Sequence, residues 1–514
     1  MHGAIPLLHD YLIDSATRRG EKVALVCQKK RVTYAEIDGR SNALAHALEK
    51  RGVERGDRVV IFADNTVETV VAFWAVLKAN AVVSVVNPLT KADKLAYLLN
   101  DCRAKALITD GHLTHVFADA IARAPHLSTI IVSGDLKTSD GRIHSWDSAM
   151  AGEKRDEPPP RKSLDVDLAA IIYTSGSTGD PKGVMLSHRN MLTAATSIST
   201  YLENVEDDVI LGVLPLAFDY GLYQMIMAFR TGARLVLERS FTYPAQVLNV
   251  VVEEGVTGFP GVPTIFSILA EMKTLRDFDF SKIRYVTNTA AALSEKHILA
   301  LRDIFPGARI YSMYGLTECK RCTYLPPEDL EKKPTSVGIA IPNTELWLVD
   351  ESDRRLGPGE VGQLVIRGAT VMQGYWEKPE ATAKKLRPGP LPGEQVLYTG
   401  DLCRLDDEGY LYFVGRMDDI IKSRGEKVAP KEVENAIVNI DGVKEVAVIG
   451  VPDPILGQAV KAFVVLEEAA RLTDKDVMRE CQRRLENFMV PKHVAFVAEL
   501  PKTNTGKIKK TGLA

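Results

Sequence analysis

Short apolar runs alternate with amphipathic segments along most of the chain, and this alternation limits the possible folds more than any other feature. Near the N-terminus, apolar runs at Arg58–Ala63, Ala81–Val86 and Lys105–Thr109 are separated by helical patterns at Thr66–Lys78 and Lys91–Asp101. Strand–helix–strand alternation of this kind predicts a mostly parallel sheet covered by helices. We therefore expect an α/β fold.

The same alternation resumes further along the chain, and the pattern then changes twice. Four more strand-like runs are Val209–Leu214, Ala233–Leu237, Gly258–Val262 and Ile283–Thr287. Short strands and turns between 336 and 367 predict a small β subdomain. At 514 residues the chain is long enough for more than one domain. We expect a large N-terminal domain over residues 1–416, with mixed or parallel sheets flanked by helices, and a small mobile C-terminal α+β domain over 417–514.

Composition argues against several classes of partner. The net charge is only −3, so we expect neither nucleic acid nor an anionic membrane surface as a partner. The most apolar long segment, Val70–Pro88, contains Lys78 and two asparagines and is too interrupted to be an integral membrane span. The N-terminus has no recognisable signal peptide. Six cysteines in a chain of this length favour a reducing compartment, and we expect a cytoplasmic protein.

The stretch Tyr173–Val184 is a loop of hydroxyl residues and glycines that contains a lysine near its end. The apolar run before it, Ala169–Ile172, predicts a buried strand, and the segment from His188 predicts a helix. A polar loop between a strand and a helix is suited to phosphate, because backbone N–H groups and hydroxyls donate to the anion while Lys182 supplies a counter-charge. The loop is not a Walker A motif, since Pro181 stands where that pattern needs glycine.

This loop and four other motifs resemble the motifs of the superfamily of AMP-forming acyl-activating enzymes, and they occur in the order that is found in that superfamily. The superfamily includes acyl-CoA synthetases, adenylation domains of peptide synthetases and luciferases, and the chain is most similar to the acyl-CoA ligases. The other motifs are Tyr314–Glu318, Tyr398–Asp401, Gly415–Pro430 and Pro501–Lys507. The resemblance implies a ligase, in a setting such as fatty acid metabolism, that converts a carboxylic acid and ATP to acyl-AMP and pyrophosphate. The acyl group then passes to the thiol of CoA.

The first half-reaction joins two anions, so it needs positive charge and oriented donors around the α-phosphate. The resemblance assigns Thr317 to the α-phosphate and Glu318 to Mg²⁺, a hard ion that prefers carboxylate and phosphate oxygens. It assigns Tyr314 to the nucleotide and Gly315 to the substrate pocket. The remaining phosphate ligands that it implies are Thr174, Ser175, Gly176, Ser177, Thr178, Gly179 and Lys182.

The resemblance also implies the residues that hold the rest of the nucleotide. Asp401 follows a glycine in an expected turn and accepts hydrogen bonds from the ribose hydroxyls. Arg416 is a fixed positive charge suited to ribose or phosphate. Asn288 and Ala290 belong to a stretch that lines the adenine and acyl sites, although its sequence departs from the usual family motif.

Three C-terminal residues are assigned by the resemblance to a mobile domain. Lys507 bridges the attacking carboxylate and the α-phosphate, and Asp418 is the hinge about which the small domain rotates. In the second orientation Gly425 forms part of a tunnel for the thiol. Two reactions on one small site require two arrangements, which is the physical reason for a hinge.

Cys319 and Cys322 have C-x-x-C spacing. One such pair supplies half of a zinc site, and the other cysteines form no second pair, so we expect neither metal nor redox function there. Lys320 and Arg321 lie between these cysteines, directly after Glu318. They are candidates for contact with substrate or pyrophosphate.

The segment Leu214–Gln224 is expected to line the acyl pocket. Phe218 and Asp219, followed by Tyr220, stand where fatty and aryl acyl-CoA ligases often have a histidine-containing motif. The Phe-Asp pair resembles amino-acid-activating domains, in which an aspartate binds the α-ammonium group. A buried, unpaired carboxylate is costly, so we expect Asp219 to have a cationic partner or a solvated position.

Three functions remain open from the sequence. The first is an acyl-CoA ligase that acts on a small-molecule carboxylic acid with ATP, Mg²⁺ and CoA. The second activates an amino acid or another acid and loads it onto the phosphopantetheine arm of a separate acyl or peptidyl carrier protein. The third is a non-catalytic nucleotide-binding protein, which is disfavoured because Lys182, Thr317, Glu318, Asp401 and Lys507 are all present. Neither the identity of the acid nor the oligomeric state follows from the sequence.

Overall fold

The computed structural model contains four sheets with helices packed between and around them. It describes residues 6–135, 140–174, 181–289, 293, 295–423, 426–453, 456–485, 487–502, 508–510 and 512–513.

The first sheet carries the strands on either side of the loop at 173–184. Its eight described strands are β3 (Arg58–Phe62), β4 (Val82–Val86), β5 (Ala106–Asp110), β6 (Thr129–Ser133), β7 (Ile143–Ser145), β8 (Leu168–Thr174), β9 (Lys182–Ser187) and β19 (Gly374–Tyr375). Their order is β19-β9-β8-β4-β3-β5-β6-β7. The strands from β8 to β7 pair in parallel, whereas β9 and β19 are antiparallel additions at one edge. The parallel sheet predicted from the alternation is confirmed.

The second sheet holds the strands that lead into the turn at 315–322. Its nine described strands are β1 (Val23–Cys27), β2 (Lys30–Thr33), β10 (Val209–Gly212), β11 (Arg234–Leu237), β12 (Gly258–Gly261), β13 (Tyr285–Asn288), β14 (Arg309–Tyr314), β15 (Thr323–Leu325) and β16 (Ile339–Ala340). They lie in the order β16-β15-β14-β13-β12-β10-β11-β1-β2. The strands β1 and β10 to β14 pair in parallel. The ends of β13 and β14 therefore lie side by side and bring Asn288 next to Ser312.

Helices cover both sheets, and some of them are buried between them. Their bounds are α1 (Asp10–Arg19), α2 (Tyr34–Lys50), α3 (Val67–Lys78), α4 (Ala92–Asp101), α5 (Thr114–Ala122), α6 (Trp146–Met150), α7 (His188–Tyr201), α8 (Asp219–Thr231), α9 (Pro244–Glu254), α10 (Pro263–Glu271) and α11 (Glu295–Ile304). Nearly every residue of α3 and α8 is buried, as expected for helices that are apolar on all sides. Trp74 of α3 packs against Phe229 of α8, with ring centroids 5.2 Å apart. No helix in the described part of the chain is long and apolar enough to cross a membrane.

The third sheet is the small β subdomain expected between 336 and 367, extended by later strands. It contains β17 (Thr344–Val349), β18 (Val361–Gly368), β20 (Leu386–Pro388), β21 (Gln395–Leu405) and β22 (Leu411–Arg416), and α12 (Pro379–Lys385) packs beside it. The order is β17-β18-β21-β20, with β22 also paired to β21. Asp401 of β21 lies opposite Arg416 of β22.

The fourth sheet is formed by the C-terminal segment. Its strands are β23 (Ile421–Ser423), β24 (Glu426–Val428), β25 (Val443–Asp453), β26 (Gly457–Leu466) and β27 (His493–Phe496), and it is accompanied by α13 (Pro430–Val438) and α14 (Asp474–Arg484). The order is β24-β23-β26-β25, with β27 parallel to β26. Apolar residues of these strands and helices form their own core, which includes Val433, Ile437, Val448, Val460 and Val477. The predicted compact α+β pattern is confirmed.

Candidate active site

The loop between Tyr173 and Val184 joins two antiparallel strands. Tyr173 pairs with Gly183 and Thr174 with Lys182, so β8 and β9 form a hairpin. The helix predicted from His188 is confirmed as α7, but a strand that the sequence did not predict, β9, lies between the loop and this helix. Buried apolar side chains recur at alternate positions of the segment after Lys182, which is the pattern of a strand. The N-terminus of α7 therefore lies a whole strand away from the loop.

Five of the predicted phosphate ligands lie outside the described residues. They are Ser175, Gly176, Ser177, Thr178 and Gly179. Thr174 ends β8 and Lys182 begins β9, so these two residues mark the base of the hairpin.

Both sides of the hairpin base are held by the end of α4. The hydroxyl of Tyr173 donates to Asp101 Oδ2 at 2.6 Å, and the hydroxyl of Tyr97 donates to the Pro181 carbonyl oxygen at 3.1 Å. The Trp376 indole also donates to the Asp101 carbonyl oxygen at 3.0 Å. Sequence reasoning missed Asp101 and Trp376, since each looks like an ordinary helix-end or loop residue.

Tyr375 links the predicted magnesium ligand to the hairpin. Its hydroxyl donates to Glu318 Oε1 at 2.6 Å. Its backbone lies in β19, opposite Val184 of β9, and the ammonium of Lys182 lies 5.7 Å from the centroid of its ring. Tyr375 therefore brings two motifs together that lie far apart in the sequence. Nothing in the local pattern around Gly374–Trp376 indicated this role.

Thr317 and Glu318 lie in a tight turn between β14 and β15. Close packing maintains the turn, because a Cβ atom at Gly315 would overlap the carbonyl oxygen of Lys320. The Cys322 N–H also donates to the Tyr314 carbonyl oxygen at 2.9 Å. Gly315 is therefore required by the backbone, which is a different reason from the substrate contact that the sequence resemblance implied.

Asp401 and Tyr314 form a buried pair at the edge of this turn. The Tyr314 hydroxyl donates to Asp401 Oδ2, and Arg416 Nε lies 3.6 Å from Asp401 Oδ1. Burial raises the pKa of the Asp401 carboxyl, while the Tyr314 hydrogen bond and Arg416 oppose that rise. Burial, and then the nearby Asp401 carboxylate, also raise the pKa of Tyr314 well above its ordinary value, so the phenol keeps its proton.

The expectation that Asp401 lies in a turn is wrong. It belongs to the long strand β21, which bulges because Thr399, Gly400 and Asp401 together oppose one residue of β18. Gly400 has φ +79°, a conformation that favours glycine. The bulge aims the Asp401 carboxylate at Tyr314 and Arg416.

Lys385 is a further cation at this site that sequence reasoning missed. Its ammonium donates to the Thr399 carbonyl oxygen at 2.5 Å. Burial lowers its pKa, and the charges of Glu318, Arg416 and Asp401 all act on it. At the end of α12 it reads as an exposed helix-terminal lysine, so no sequence signal distinguished it.

The residues assigned to adenine and to the acyl group lie around the end of β13. Asn288 is fully buried there, and Ala290 lies outside the described residues. Tyr220, at the start of α8, donates its hydroxyl to the Thr287 carbonyl oxygen at 2.8 Å. Phe218 is the residue that precedes α8. The predicted acyl segment and the Asn288 strand are therefore in contact.

Asp219 is the first residue of α8, and its half-buried carboxylate faces a cation. Arg321 Nη1 lies 3.9 Å from Asp219 Oδ2, and the guanidinium lies 4.6 Å from the centroid of the Tyr220 ring. The loop before α8 is held by Asn65, whose amide donates to the Leu214 carbonyl oxygen at 3.1 Å. Asn65 was not identified from the sequence.

The three residues assigned to domain movement are placed only in part. Asp418 lies in a single 3₁₀ turn, Met417–Asp419, between β22 and β23. Gly425 and Lys507 lie outside the described residues. On either side of Lys507, Lys502 and Ile508 form an antiparallel bridge.

The C-x-x-C pair is buried beside the turn. The Sγ atoms of Cys319 and Cys322 are 2.9 Å apart and both cysteines are free. Burial raises the pKa of the Cys319 thiol well above its ordinary value, and a protonated thiol is a poor nucleophile and metal ligand.

Two family models match the chain. Residues 12–376 match the AMP-binding enzyme family, and residues 432–507 match the AMP-binding enzyme C-terminal domain. The second match covers most of the C-terminal segment that forms the fourth sheet.

The chain is also similar to characterised ligases over almost its whole length. It is 32% identical to a long-chain-fatty-acid–CoA ligase of Salmonella typhimurium, over 97% of this chain and 92% of the relative. It is 33% identical to a feruloyl-CoA synthase of an Amycolatopsis species, over 93% of this chain and 92% of that enzyme.

Solved structures of related ligases share the fold. An anthranilate CoA ligase, AuaEII, in complex with anthranoyl-AMP superposes with a TM-score of 0.90 at 28% identity, covering 98% of this chain and 96% of that one. A benzoate CoA ligase from Burkholderia xenovorans LB400 gives a TM-score of 0.88 at 27% identity, covering 99% of this chain and 100% of that one. The chain belongs to the AMP-binding enzyme family and is an AMP-forming acid–thiol ligase, which activates a carboxylic acid to acyl-AMP with release of pyrophosphate and transfers the acyl group to CoA.

Proposed function

We propose that this reaction takes place where the hairpin base, the turn at 315–322 and the bulge at Asp401 meet. The observation that carries the proposal is the 2.6 Å hydrogen bond from the Tyr375 hydroxyl to Glu318. Tyr375 lies in β19, which pairs with β9, the strand that begins at Lys182. This contact joins the predicted phosphate loop to the predicted magnesium ligand. Asp401 and Arg416 lie on the third sheet. The charges of Glu318, Arg416 and Asp401 all act on the Lys385 ammonium.

Each residue has a role that fits its chemistry. Lys182 and the loop hydroxyls neutralise the β- and γ-phosphates, and the Thr317 hydroxyl donates to the α-phosphate. The attacking carboxylate oxygen forms a bond to the α-phosphorus while the bond to the pyrophosphate oxygen breaks. Donors and cations that are already in place stabilise the negative charge of this transition state.

Glu318 fits the requirements of a magnesium ligand. One of its oxygens accepts the Tyr375 hydroxyl, and an ionised carboxylate has further lone pairs for a hard cation. When bound, Mg²⁺ supplies positive charge for the phosphate oxygens. Tyr375 holds the carboxylate in one orientation, which reduces the cost of ordering the site.

Asp401 is suited to the ribose because its charge is already partly compensated. Tyr314 and Arg416 stabilise the carboxylate in a buried position, and an ionised carboxylate accepts hydrogen bonds from two neighbouring hydroxyls. We place Asn288 beside the adenine, and the residues around the acyl group are Phe218, Asp219, Tyr220, Ala290 and Gly315.

The second half-reaction uses the C-terminal domain, for which we propose the bounds 417–514 and a hinge at Asp418. The separate sheet and core of that segment support this division. In one orientation Lys507 contacts the carboxylate and the α-phosphate. In the other, Gly425 lies beside the thiol, which attacks the acyl carbon and releases AMP.

Pyrophosphate release and thioester formation, measured on the full-length protein with ATP and Mg²⁺, test these assignments. Lys507→Ala is expected to slow adenylation by about 10²–10³-fold, by analogy with a lost transition-state donor, and to spare thioester formation from preformed acyl-AMP. Asp418→Pro is expected to impair one half-reaction only. Equal loss of both half-reactions in these variants would contradict the alternation.

The acceptor and the cellular location complete the proposal. We propose CoA as the acceptor, with thioester formation on a carrier protein as the competing result of the same assay. All six cysteines are buried and free, which supports a reducing, cytoplasmic location. Relatives are named for fatty and aromatic acids, so their names leave the class of acid open.

A further inference from the structure

Buried polar side chains meet where the start of α8 packs against the turn that follows Glu318. We call Asp219, Tyr223, Lys320 and Arg321 the polar cluster. Arg321 Nη1 lies 3.9 Å from Asp219 Oδ2, and Lys320 Nζ lies 5.5 Å from the centroid of the Tyr223 ring. Two of the four residues belong to α8 and two belong to the turn, so the cluster exists only in the folded protein.

Apart from the half-buried Asp219, the members of the cluster are buried, and much of their hydrogen-bonding capacity is unused. Lys320 is 1% exposed and Arg321 is 3% exposed. Across the described part of the chain, no group accepts a hydrogen bond from Lys320 Nζ or Arg321 Nε, and the Tyr223 hydroxyl is equally unpaired. A buried charge without hydrogen-bond partners costs several kcal/mol. A folded protein tolerates such a cost where a bound ligand supplies the missing partner.

The charge and hydrogen-bonding balance indicate which kind of ligand is missing. Within the cluster, Asp219 contributes one negative charge against the two positive charges of Lys320 and Arg321. The nearby Glu318 carboxylate also acts on Lys320, but it is assigned to Mg²⁺. Lys320 Nζ and Arg321 Nε are donors left unpaired by the described residues, and the Tyr223 hydroxyl can donate as well. An anion with several acceptor oxygens would compensate both deficits.

We infer that the acid activated by this enzyme carries a second carboxylate on its acyl portion, and that Lys320 and Arg321 bind that group. The inference rests on the proposed function, because it places the polar cluster beside the acyl group of the same site. Asp219 acts as a positioning residue, since its carboxylate lies beside the Arg321 guanidinium. A plain alkyl chain would leave the ammonium of Lys320 desolvated and without a hydrogen-bond acceptor among the described residues.

The same balance disfavours an α-amino acid. The only carboxylate of the polar cluster already faces Arg321, and a substrate ammonium would add positive charge to a group that has an excess of it. A contact between Lys320 and pyrophosphate is the remaining alternative. It predicts equal effects on every acid and is therefore distinguishable by experiment.

Paired acids test the inference on the full-length protein. Pyrophosphate release is measured with butanoate against butanedioate and with hexanoate against hexanedioate, at fixed ATP and Mg²⁺. We expect kcat/KM to favour the diacid by at least about 100-fold, because a site built to hydrogen-bond a substrate group rejects an analogue that lacks it. Lys320→Met is expected to lower the diacid value by about 100-fold and to bring the ratio of the diacid to the monoacid kcat/KM close to one.

Two control variants sharpen this comparison. Lys320→Arg keeps the charge and is expected to retain most of the preference for diacids. Lys333→Met removes a lysine that is paired with Asp406 and Glu408 outside the site and is expected to leave the preference intact. Melting temperatures establish that each variant is folded.

Three results would overturn the inference while the proposed function stands. They are equal kcat/KM for diacids and monoacids, a preference for α-amino acids, and an equal loss on all acids in Lys320→Met. Absence of pyrophosphate release with every acid would instead overturn the proposed function. In that case calorimetric titration of butanedioate and hexanedioate in the presence of AMP decides the inference. Binding that Lys320→Met weakens supports it, and absence of binding overturns it.

Discussion

Two buried lysines, Lys78 and Lys320, show how differently the same side chain is used in this protein. Each is 1% exposed, and burial lowers the pKa of each to about 8. Lys78 donates to Asp38 Oδ1 at 2.6 Å, to Ser41 Oγ at 2.8 Å and to Asn42 Oδ1 at 2.7 Å. Lys320 donates to no described residue. Burial is therefore the same at both sites, whereas only Lys78 has its hydrogen bonds satisfied by the protein.

The difference separates a structural site from a binding site. Lys78 ends α3, and its partners lie on α2, so its hydrogen bonds fix the packing of the two helices. Lys320 lies in a turn with φ +64°, a conformation uncommon for a side chain with a Cβ atom. Unfavourable features of this kind persist mainly at functional sites, where a ligand offsets their cost.

The largest expected effect concerns the satisfied lysine. Lys78→Met is expected to lower the free energy of unfolding by about 3–5 kcal/mol, because it leaves Asp38 without its buried partner. Ser41 and Asn42 also lose a donor. Chemical denaturation monitored by tryptophan fluorescence measures the change. A variant as stable as the wild type would show that the hydrogen bonds of Lys78 contribute nothing net.

At Lys320, which has no hydrogen-bond partner among the described residues, the change in the free energy of unfolding is expected to have the opposite sign. Lys320→Met is expected to raise the free energy of unfolding at pH 7 by about 1–3 kcal/mol, since it removes an unpaired buried group. The same denaturation experiment applies. Destabilisation comparable to that of Lys78→Met would indicate that Lys320 has protein partners in solution, and would remove the basis of the comparison.

The stability gap between wild type and Lys320→Met is expected to depend on pH. The folded pKa of Lys320 is about 8 and its ordinary value is 10.5, so between these values the unfolded chain binds more protons than the folded one. The Lys320 contribution to the free energy of unfolding therefore rises with pH in this window, and the gap should narrow from pH 7 to 10.5.

The quantity to measure is the difference in the free energy of unfolding between the wild type and Lys320→Met at each pH. Buried cysteines with raised pKa values, such as Cys102 and Cys403, act in the opposite direction in both proteins and cancel. Saturating butanedioate or hexanedioate is expected to abolish the narrowing, because a bound carboxylate restores the pKa of Lys320. A gap that stays constant with pH would contradict the lowered pKa.

The smallest expected effect concerns Glu318. Its hydrogen bonding is intermediate between that of Lys78 and that of Lys320, because Tyr375 donates to only one of its two carboxylate oxygens. Tyr375→Phe is expected to lower the adenylation rate by about 10-fold at limiting Mg²⁺, since residues that orient a metal ligand typically affect metal affinity by 10–100-fold. Rates over a range of Mg²⁺ concentrations measure the effect, and high Mg²⁺ should restore most of the activity.

A matched control exists for that variant. Tyr410 donates to Asp329 Oδ2 at the same distance of 2.6 Å, away from the site. Tyr410→Phe is expected to leave the Mg²⁺ dependence unchanged. Equal effects of the two substitutions would mean that the Tyr375 hydroxyl acts only through general stability.

Much of the fold could be predicted because the strands are continuous apolar runs and the helices have clear boundaries. The helix predicted at Thr66–Lys78 is α3, whose N-cap Thr66 accepts a hydrogen bond from the Thr69 N–H, and the run at Ala81–Val86 became β4 with a shift of one residue. The errors fell at the site. The strand β9 was missed because the phosphate motif that it begins with looks like a loop, and the Asp401 bulge was mistaken for a turn because its glycine is typical of both.

The residues that sequence reasoning missed share one property. Tyr375, Asp101 and Lys385 act on groups that are remote in sequence, through hydrogen bonds and charges that arise from strand pairing and burial. No local pattern encodes such contacts. The motifs that were recognised carry their chemistry in adjacent residues, and this is why they could be found without coordinates.

The sequence by itself determined the α/β fold, the order of the motifs and the chemistry of adenylation, because periodicity and local motifs are properties of neighbouring residues. The tertiary structure alone decided that Tyr375 holds Glu318, and that Gly315 is required by the Lys320 carbonyl oxygen. It also decided that Lys78 is satisfied whereas Lys320 is not. Whether a buried charge has a partner depends on which elements pack against it, and only the folded chain brings those elements together.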